Sequence, residues 1–302
     1  DNSNSSYGTA VVATVSGTNI SFGSETVYES ADSRYTGIAY DANAQKVLIV
    51  YRDDGNAYHG TAIVGTVSGT GISFGSAAVF EDTNYGIANY HIRPVYDSNA
   101  NKIVIFYTLG SDGKAIVATI SGTSVSFGTK AESDGTGGTR EMGSVAFNTG
   151  ENVIVFGYRN GGDNKGYVNT ATVSGTSVSF GSKVEISGGA YDFSCTYSPD
   201  VDKTSVAFRD TDNDGATVVF TSAGTSINLT TENFIGISKG GAVADTKRAT
   251  IDIIGAVNNE QSSLTAGQQY FVQADGTLDT SADSPSVLAG TAISATELLV
   301  KT

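Results

Sequence analysis

A segment of eleven residues recurs along this chain as Ala13-Thr-Val-Ser-Gly-Thr-Asn-Ile-Ser-Phe-Gly23, Gly65-Thr-Val-Ser-Gly-Thr-Gly-Ile-Ser-Phe-Gly75, Ala118-Thr-Ile-Ser-Gly-Thr-Ser-Val-Ser-Phe-Gly128 and Ala171-Thr-Val-Ser-Gly-Thr-Ser-Val-Ser-Phe-Gly181. A degenerate copy, Phe220-Thr-Ser-Ala-Gly-Thr-Ser-Ile-Asn-Leu229, ends the series. The Ser-Gly-Thr steps begin at Ser16, Ser68, Ser121 and Ser174, a period of 52 to 53 residues. Self-similarity at a fixed spacing of this size calls for one supersecondary unit packed against copies of itself, because a single unit cannot bury its own apolar face.

Each full repeat holds four apolar runs, in the first case Thr36–Asp41, Lys46–Arg52, Gly60–Val67 and Gly71–Phe80. The runs are short and rich in Val, Ile, Thr, Tyr and Phe, so the class is all-β. Turn chemistry separates them. Tyr40-Asp-Ala-Asn-Ala-Gln-Lys46 returns as Tyr96-Asp-Ser-Asn-Ala-Asn-Lys102 and Tyr197-Ser-Pro-Asp-Val-Asp-Lys203, where Asp and Asn can bond the local backbone. Ser-Gly-Thr joins the last two runs, its glycine suited to the left-handed position of a tight hairpin.

Four antiparallel strands at this period describe the blades of a β-propeller. The full blades are expected at about 33–82, 88–132, 140–187 and 190–231, with only half a blade in residues 1–30. The sequence starts at Asp1 and its one Met is Met142, so it is read as a processed or truncated chain. Two expectations follow: a five-bladed ring whose first blade is shared between the chain ends, or a piece of a longer array. The propeller repeats are thus assigned to 1–231. Beyond them the period is lost, and 232–302 reads as a small C-terminal β domain with a hairpin at Asp275-Gly276. Its first strands could instead complete the half blade.

The chain carries 17 Lys and Arg against 31 Asp and Glu, a net charge of −14, which argues against nucleic acid or an anionic membrane as partner. No apolar run approaches the roughly 20 residues of a membrane-spanning helix. Cys195 is the sole cysteine, so no disulfide forms within the chain.

The Ala-Thr-Val-Ser-Gly-Thr-Ser-Val-Ser-Phe-Gly repeats resemble those of tail-fibre and other virion-surface proteins of marine bacteriophages. The tract from Asn233-Phe-Ile-Gly-Ile-Ser through Gly267-Gln-Gln-Tyr-Phe-Val-Gln-Ala-Asp-Gly-Thr to Ala289-Gly-Thr-Ala-Ile-Ser-Ala-Thr is similar to a module near the ends of phage fibre proteins. The resemblance implies an extracellular virion appendage, homo-oligomeric and bound to other virion proteins, that displays a propeller to a host-surface receptor or glycan.

Topology indicates which face would bind. In an up-and-down blade the first–second and third–fourth turns emerge on one side, and here they are nearly uniform. The second–third turns and the links between blades emerge on the other side and vary. Variable loops on a rigid scaffold are the arrangement expected of a recognition surface. That face is assigned Arg34, Tyr35, Asp82, Tyr85, Tyr90, His91, Arg93, Arg140, Glu141, Tyr191 and Asp192. The bland alternative is packing between blades, which the recurrence of Arg52, Arg159 and Arg209 at the end of the second run favours.

Asp210-Thr-Asp-Asn-Asp-Gly215 alternates carboxylates as the opening of a calcium loop does, making Asp210, Asp212 and Asp214 candidate calcium ligands. The bidentate Glu that closes the helix-flanked motif is missing, since its place falls on Thr221, and an ordinary acidic turn is the alternative. No cofactor is called for. Two His and one Cys make no conventional zinc site, and no nucleophile motif accompanies them. The leading expectation is a non-catalytic recognition module. The rival is a propeller glycoside hydrolase using a pair drawn from Asp82, Glu141 and Asp192, and a third is a structural fibre protein.

Overall fold

A computed structural model describes residues 6–83, 87–133, 139–220, 237–239, 250–273, 277–282 and 286–300. The chain is all-β and divides into two compact units, Asp1–Ser222 and Ala223–Thr302.

The first unit opens with β1 (Tyr7–Ala10), β2 (Ala13–Ser16) and β3 (Asn19–Phe22), the half blade. The next strand, β4 (Thr26–Asp41), serves both this half blade and blade one. Its residues 26–32 pair with β1 and complete the half blade, and residues 33–41 open blade one, which continues as β5 (Lys46–Asp53), β6 (His59–Ser68), β7 (Gly71–Phe74) and β8 (Ala78–Glu81). Blade two is β9 (Ile87–Asp97), β10 (Lys102–Leu109), β11 (Asp112–Ser121), β12 (Ser124–Phe127) and β13 (Ala131–Glu132). Blade three is β14 (Thr139–Asn148), β15 (Val153–Asn160), β16 (Gly166–Ser174), β17 (Ser177–Phe180) and β18 (Val184–Ser187). The described part of blade four is β19 (Ala190–Ser198), β20 (Lys203–Asp210) and β21 (Gly215–Phe220); residues 221–231, expected to finish it, lie outside the described residues. All pairing within the blades is antiparallel, in chain order except that β8, β13 and β18 pair with β6, β11 and β16. The opening strands β4, β9, β14 and β19 lie side by side, as the axial strands of a propeller do.

The expected fourth strand, Gly71–Phe80 in blade one, is in fact two. β7 and β8 both pair with β6, separated by Gly75 to Ala77, and the same break recurs at Gly128 and Gly181. At this place the neighbouring blade approaches closely: a Cβ on Gly23, Gly75 or Gly128 would overlap the carbonyl of Thr70, Thr123 or Thr176, the threonine of the next blade's Ser-Gly-Thr turn. The two recurring motifs are therefore halves of one contact between blades. In these turns Gly17, Gly69, Gly122 and Gly175 have φ of 59–61°, the left-handed first position of a two-residue hairpin loop.

A second tie lies at the other turn on that side. The Asp41, Asp97 and Asn148 side chains accept N–H bonds inside their turns. The Asn43 N–H donates to the Tyr96 hydroxyl of the next blade at 3.3 Å, and the Gly150 N–H to that of Tyr197 at 3.1 Å.

The core lies between blades. Leu48 and Val50 face blade two, packing with Ile103, Ile105 and Tyr107, whereas Ile49 and Tyr51 face back toward Tyr28 and the half blade. Val104 and Phe106 then meet Ile154, Phe156 and Tyr158, and Val155 meets Val206 and Phe208. Burial on both faces explains why the second run is continuously apolar. Blade four departs from this: Ser205 and Ala207 replace the apolar residues of one face, and Ala207 is exposed. At the opposite flank Ile38 and Tyr40 are 61% and 55% exposed. Closure of the ring by joining these flanks is absent from the described residues.

In the second unit β22 (Ile237–Lys239) pairs with β23 (Thr250–Asp252). A separate sheet comprises β24 (Val257–Asn258), β25 (Gln269–Val272), β26 (Leu278–Asp279), β27 (Leu288–Ala292) and β28 (Leu298–Val300), in the order β24-β28-β27-β25-β26. Tyr270, Ala289, Ala292 and Leu298 form its core. The expected Asp275-Gly276 turn lies outside the described residues, and the strands flanking it, β25 and β26, pair antiparallel.

Candidate functional site

The ends of β5, β10, β15 and β20, the turns that follow them, the starts of β9, β14 and β19, and Ser33 and Arg34 of β4 share the side opposite the two interblade turns, because each strand reverses the last. This side differs from blade to blade.

At blade one the opening strand bulges between Arg34 and Gly37, with Tyr35 at φ 55°. A bulge re-aims side chains that a regular ladder would fix. Arg52, at the end of β5, lies over the Tyr35 ring at 4.6 Å and the Tyr58 ring at 5.2 Å. Asp54 holds Arg52 through two bonds, Nε to Oδ1 at 2.5 Å and Nη2 to Oδ2 at 2.9 Å. Arg34 pairs with Asp32 (Nη2 to Oδ2, 2.7 Å) and with Asp54 (Nε to Oδ2, 3.1 Å). The hydrogen bonds that Asp32 and Asp54 accept raise the Arg34 and Arg52 guanidinium pKa values, and Arg34 in turn holds Asp32 below its ordinary value. Asp53 is instead buried, and its carboxyl is pushed up by burial and by Glu29.

At the junction of blades one and two a buried carboxylate replaces these aromatic contacts. Glu81 accepts from the Tyr107 hydroxyl at 2.8 Å, Lys130 Nζ at 2.9 Å, and both the N–H and hydroxyl of Thr83. Burial pushes its pKa up, but those bonds outweigh burial and hold it below the ordinary value. Asp82 stays 79% exposed, 3.4 Å from Lys130. Arg93 faces the next blade: its Nε donates to the Gly143 carbonyl at 2.8 Å, and burial lowers its pKa while Glu141 opposes that.

Between blades three and four Tyr191 lies under two guanidinium groups, Arg159 at 4.3 Å and Arg209 at 4.6 Å. Arg209 also reaches Asp192 Oδ2 at 2.9 Å and Asn213 Oδ1 at 2.5 Å, and Arg159 reaches Asn164 Oδ1 at 2.9 Å. The candidates thus fall into separate groups: Arg34 with Tyr35, Asp82 with Lys130, Arg93 with Gly143, and Tyr191 with Asp192. Tyr85 lies outside the described residues, as do the side chains of Tyr90, His91 and Arg140, whose backbones belong to β9 and β14.

In the acidic turn, Asp210 Oδ1 accepts the N–H groups of Asp212 at 2.9 Å and Asp214 at 3.0 Å, while the Asp210 N–H donates to the Asp214 carbonyl. The first carboxylate therefore staples its own turn. No group of three or more His, Cys, Asp or Glu side chains poised for a metal occurs among the described residues.

Two features were missed in the sequence. Tyr58 sits in a turn read only as a link, though no other repeat has an aromatic residue there. Glu81 lies at the fourth strand's end, and its signal was a repeated register: Glu29 accepts from the Tyr51 hydroxyl at 3.1 Å as Glu81 does from Tyr107.

Fold and face together define a repeat protein of the β-propeller type. No family model and no curated protein matches the sequence. Among solved structures, the exo-β-1,3-galactanase of Phanerochaete chrysosporium in complex with β-1,3-galactotriose aligns with a TM-score of 0.40 and 8% identity, over 59% of this chain and 44% of that one.

Proposed function

We propose that this chain is a non-catalytic recognition protein whose propeller presents its variable face to a host-surface glycan, as part of a virion appendage of the tail-fibre kind. The observation that carries the reading is an asymmetry between sides. The contacts that tie blades together, Gly75 with Thr123 and Asn43 with Tyr96, use the uniform turns. The opposite side repeats only part of its chemistry, the Glu29–Tyr51 and Glu81–Tyr107 bonds and the arginines that end β5, β15 and β20, and otherwise differs from blade to blade. Its charged groups are largely paired with one another, and the chain's charge of −14 disfavours polyanions as ligands.

The test is to incubate the purified chain with intact bacterial cells and with their envelope polysaccharide. Binding without release of reducing ends is expected. Release of reducing ends would replace the reading with the glycoside-hydrolase one, and absence of binding to cells would remove it.

A further inference from the structure

We infer that Tyr58 is a stacking platform for a neutral sugar ring, a conclusion that rests on the recognition reading above and gives it a chemical class. The tyrosines of this face differ in what covers them. Tyr191 lies under two arginines. Tyr167 is buried, with its hydroxyl donated to Asp163 at 2.7 Å, and Tyr35 packs on the core shared by blades one and two. Tyr58 is 49% exposed and belongs to no core cluster, and Arg52 covers it from one side only.

Its orientation is nonetheless set. The Arg52 plate backs the ring at 5.2 Å and is itself clamped by Asp54. The turn is held by the Asn56 N–H donating to Asp53 Oδ1 at 3.1 Å and the His59 N–H donating to the Asn56 carbonyl at 3.1 Å. Ala57 and Tyr58 adopt φ of 54° and 62°, a left-handed conformation unfavourable for a bulky side chain. A large ring is thus pre-set toward solvent with one side supported, which lowers the ordering cost of binding.

The chemistry around it suits a pyranose. The apolar C–H face of a sugar packs on an aromatic ring, while its hydroxyls need directional donors and acceptors at the edge. Arg34 and Asp32, 54% and 33% exposed, supply both kinds, linked to Arg52 through Asp54, which pairs with both arginines. Arg34 and Arg52 are countered by Asp32 and Asp54, with Asp53 buried beside them, so no cationic excess is left to select a uronate or sulfated sugar.

The sequence has no tryptophan, so Tyr58→Trp places the sole indole of the chain at the platform. The probes are neutral β-linked gluco-, galacto- and manno-tetraose, with oligogalacturonate as the acidic comparison. The expected result is a shift of indole emission with at least one neutral probe, wild-type binding of the same probe by calorimetry, and about tenfold or greater weakening in Tyr58→Ala at an unchanged melting temperature. Equal binding by wild type and Tyr58→Ala would overturn the platform and leave the recognition reading standing. Cell binding accompanied by response to oligogalacturonate alone, or to none of the probes, would overturn the neutral class. A wild type that binds neither probes nor cells would remove both.

Discussion

The Thr123 carbonyl fills the space that a Cβ on Gly75 would need, so the glycine of one blade is matched to the turn of the next. Gly75→Ala must therefore push a neighbouring backbone aside, at a cost of about 1–3 kcal/mol. Gly128→Ala, facing Thr176, behaves alike. Gly71→Ala is the control, because its nearest neighbour is the Ser68 carbonyl at 3.7 Å, an ordinary contact. Thermal melts of the three variants check this. Equal losses at Gly71 and Gly75 would mean that the contact between blades is not what the glycine serves.

Tyr40 and Tyr96 occupy the same place in successive blades, but the half blade before Tyr40 offers no first–second turn among the described residues, and Gln45 stands where blade two has Asn101. The Tyr96 hydroxyl accepts the Asn43 N–H and donates to Asn101 Oδ1 at 2.9 Å. Tyr40 is 55% exposed. Removing the hydroxyl from Tyr96 deletes bonds worth about 0.5–1.5 kcal/mol, whereas Tyr40→Phe leaves stability unchanged. Denaturant titration of both variants reads the difference directly.

Much of this was legible in the sequence because it is periodic. The 52- to 53-residue spacing, the Asp and Asn turns and the left-handed Ser-Gly-Thr glycine all report local geometry that one repeat suffices to specify. The need for glycine at 75 was not legible, since Thr123, which fills the space of its Cβ, lies in another blade. The Glu81 cluster was hidden for the same reason, with Tyr107 and Lys130 standing 26 and 49 residues away. Ser205 and Ala207 did carry a readable sign. They turn a continuous apolar run into an alternating one, which marks a strand buried on one face only.

Glu81 gives the stability a definite pH dependence. Its folded pKa is held below the ordinary 4.5, so the unfolded chain binds the proton more readily. The resulting stabilisation is fully present above about pH 4.5 and is lost as pH falls through the folded value. Asp53 runs the opposite way, its pKa being raised. The informative quantity is therefore wild type minus Glu81→Gln. At neutral pH the variant should be less stable by about 1–3 kcal/mol, having lost a charge-assisted partner for Lys130 and Tyr107. The gap should narrow as pH falls below about 4.5 in equilibrium unfolding, and a constant gap would assign the loss to packing instead.

Tyr191 was a ligand candidate, and its surroundings predict a different result on mutation. With Arg159 and Arg209 both over the ring, Tyr191→Ala removes two cation–π contacts and the ring's packing while Asp192, Asn213 and Asn164 still hold the arginines, so a cost of about 1–3 kcal/mol is expected. Tyr191→Phe retains the ring and should melt with the wild type. Arg159→Ala and Arg209→Ala should each cost about 0.5–1 kcal/mol. Because the two arginines share one ring, their double mutant should deviate from the sum of the single effects. A Tyr191→Ala protein as stable as wild type but unable to bind cells would transfer the recognition role to this junction, since a residue that holds two blades together cannot be removed without a thermal signature.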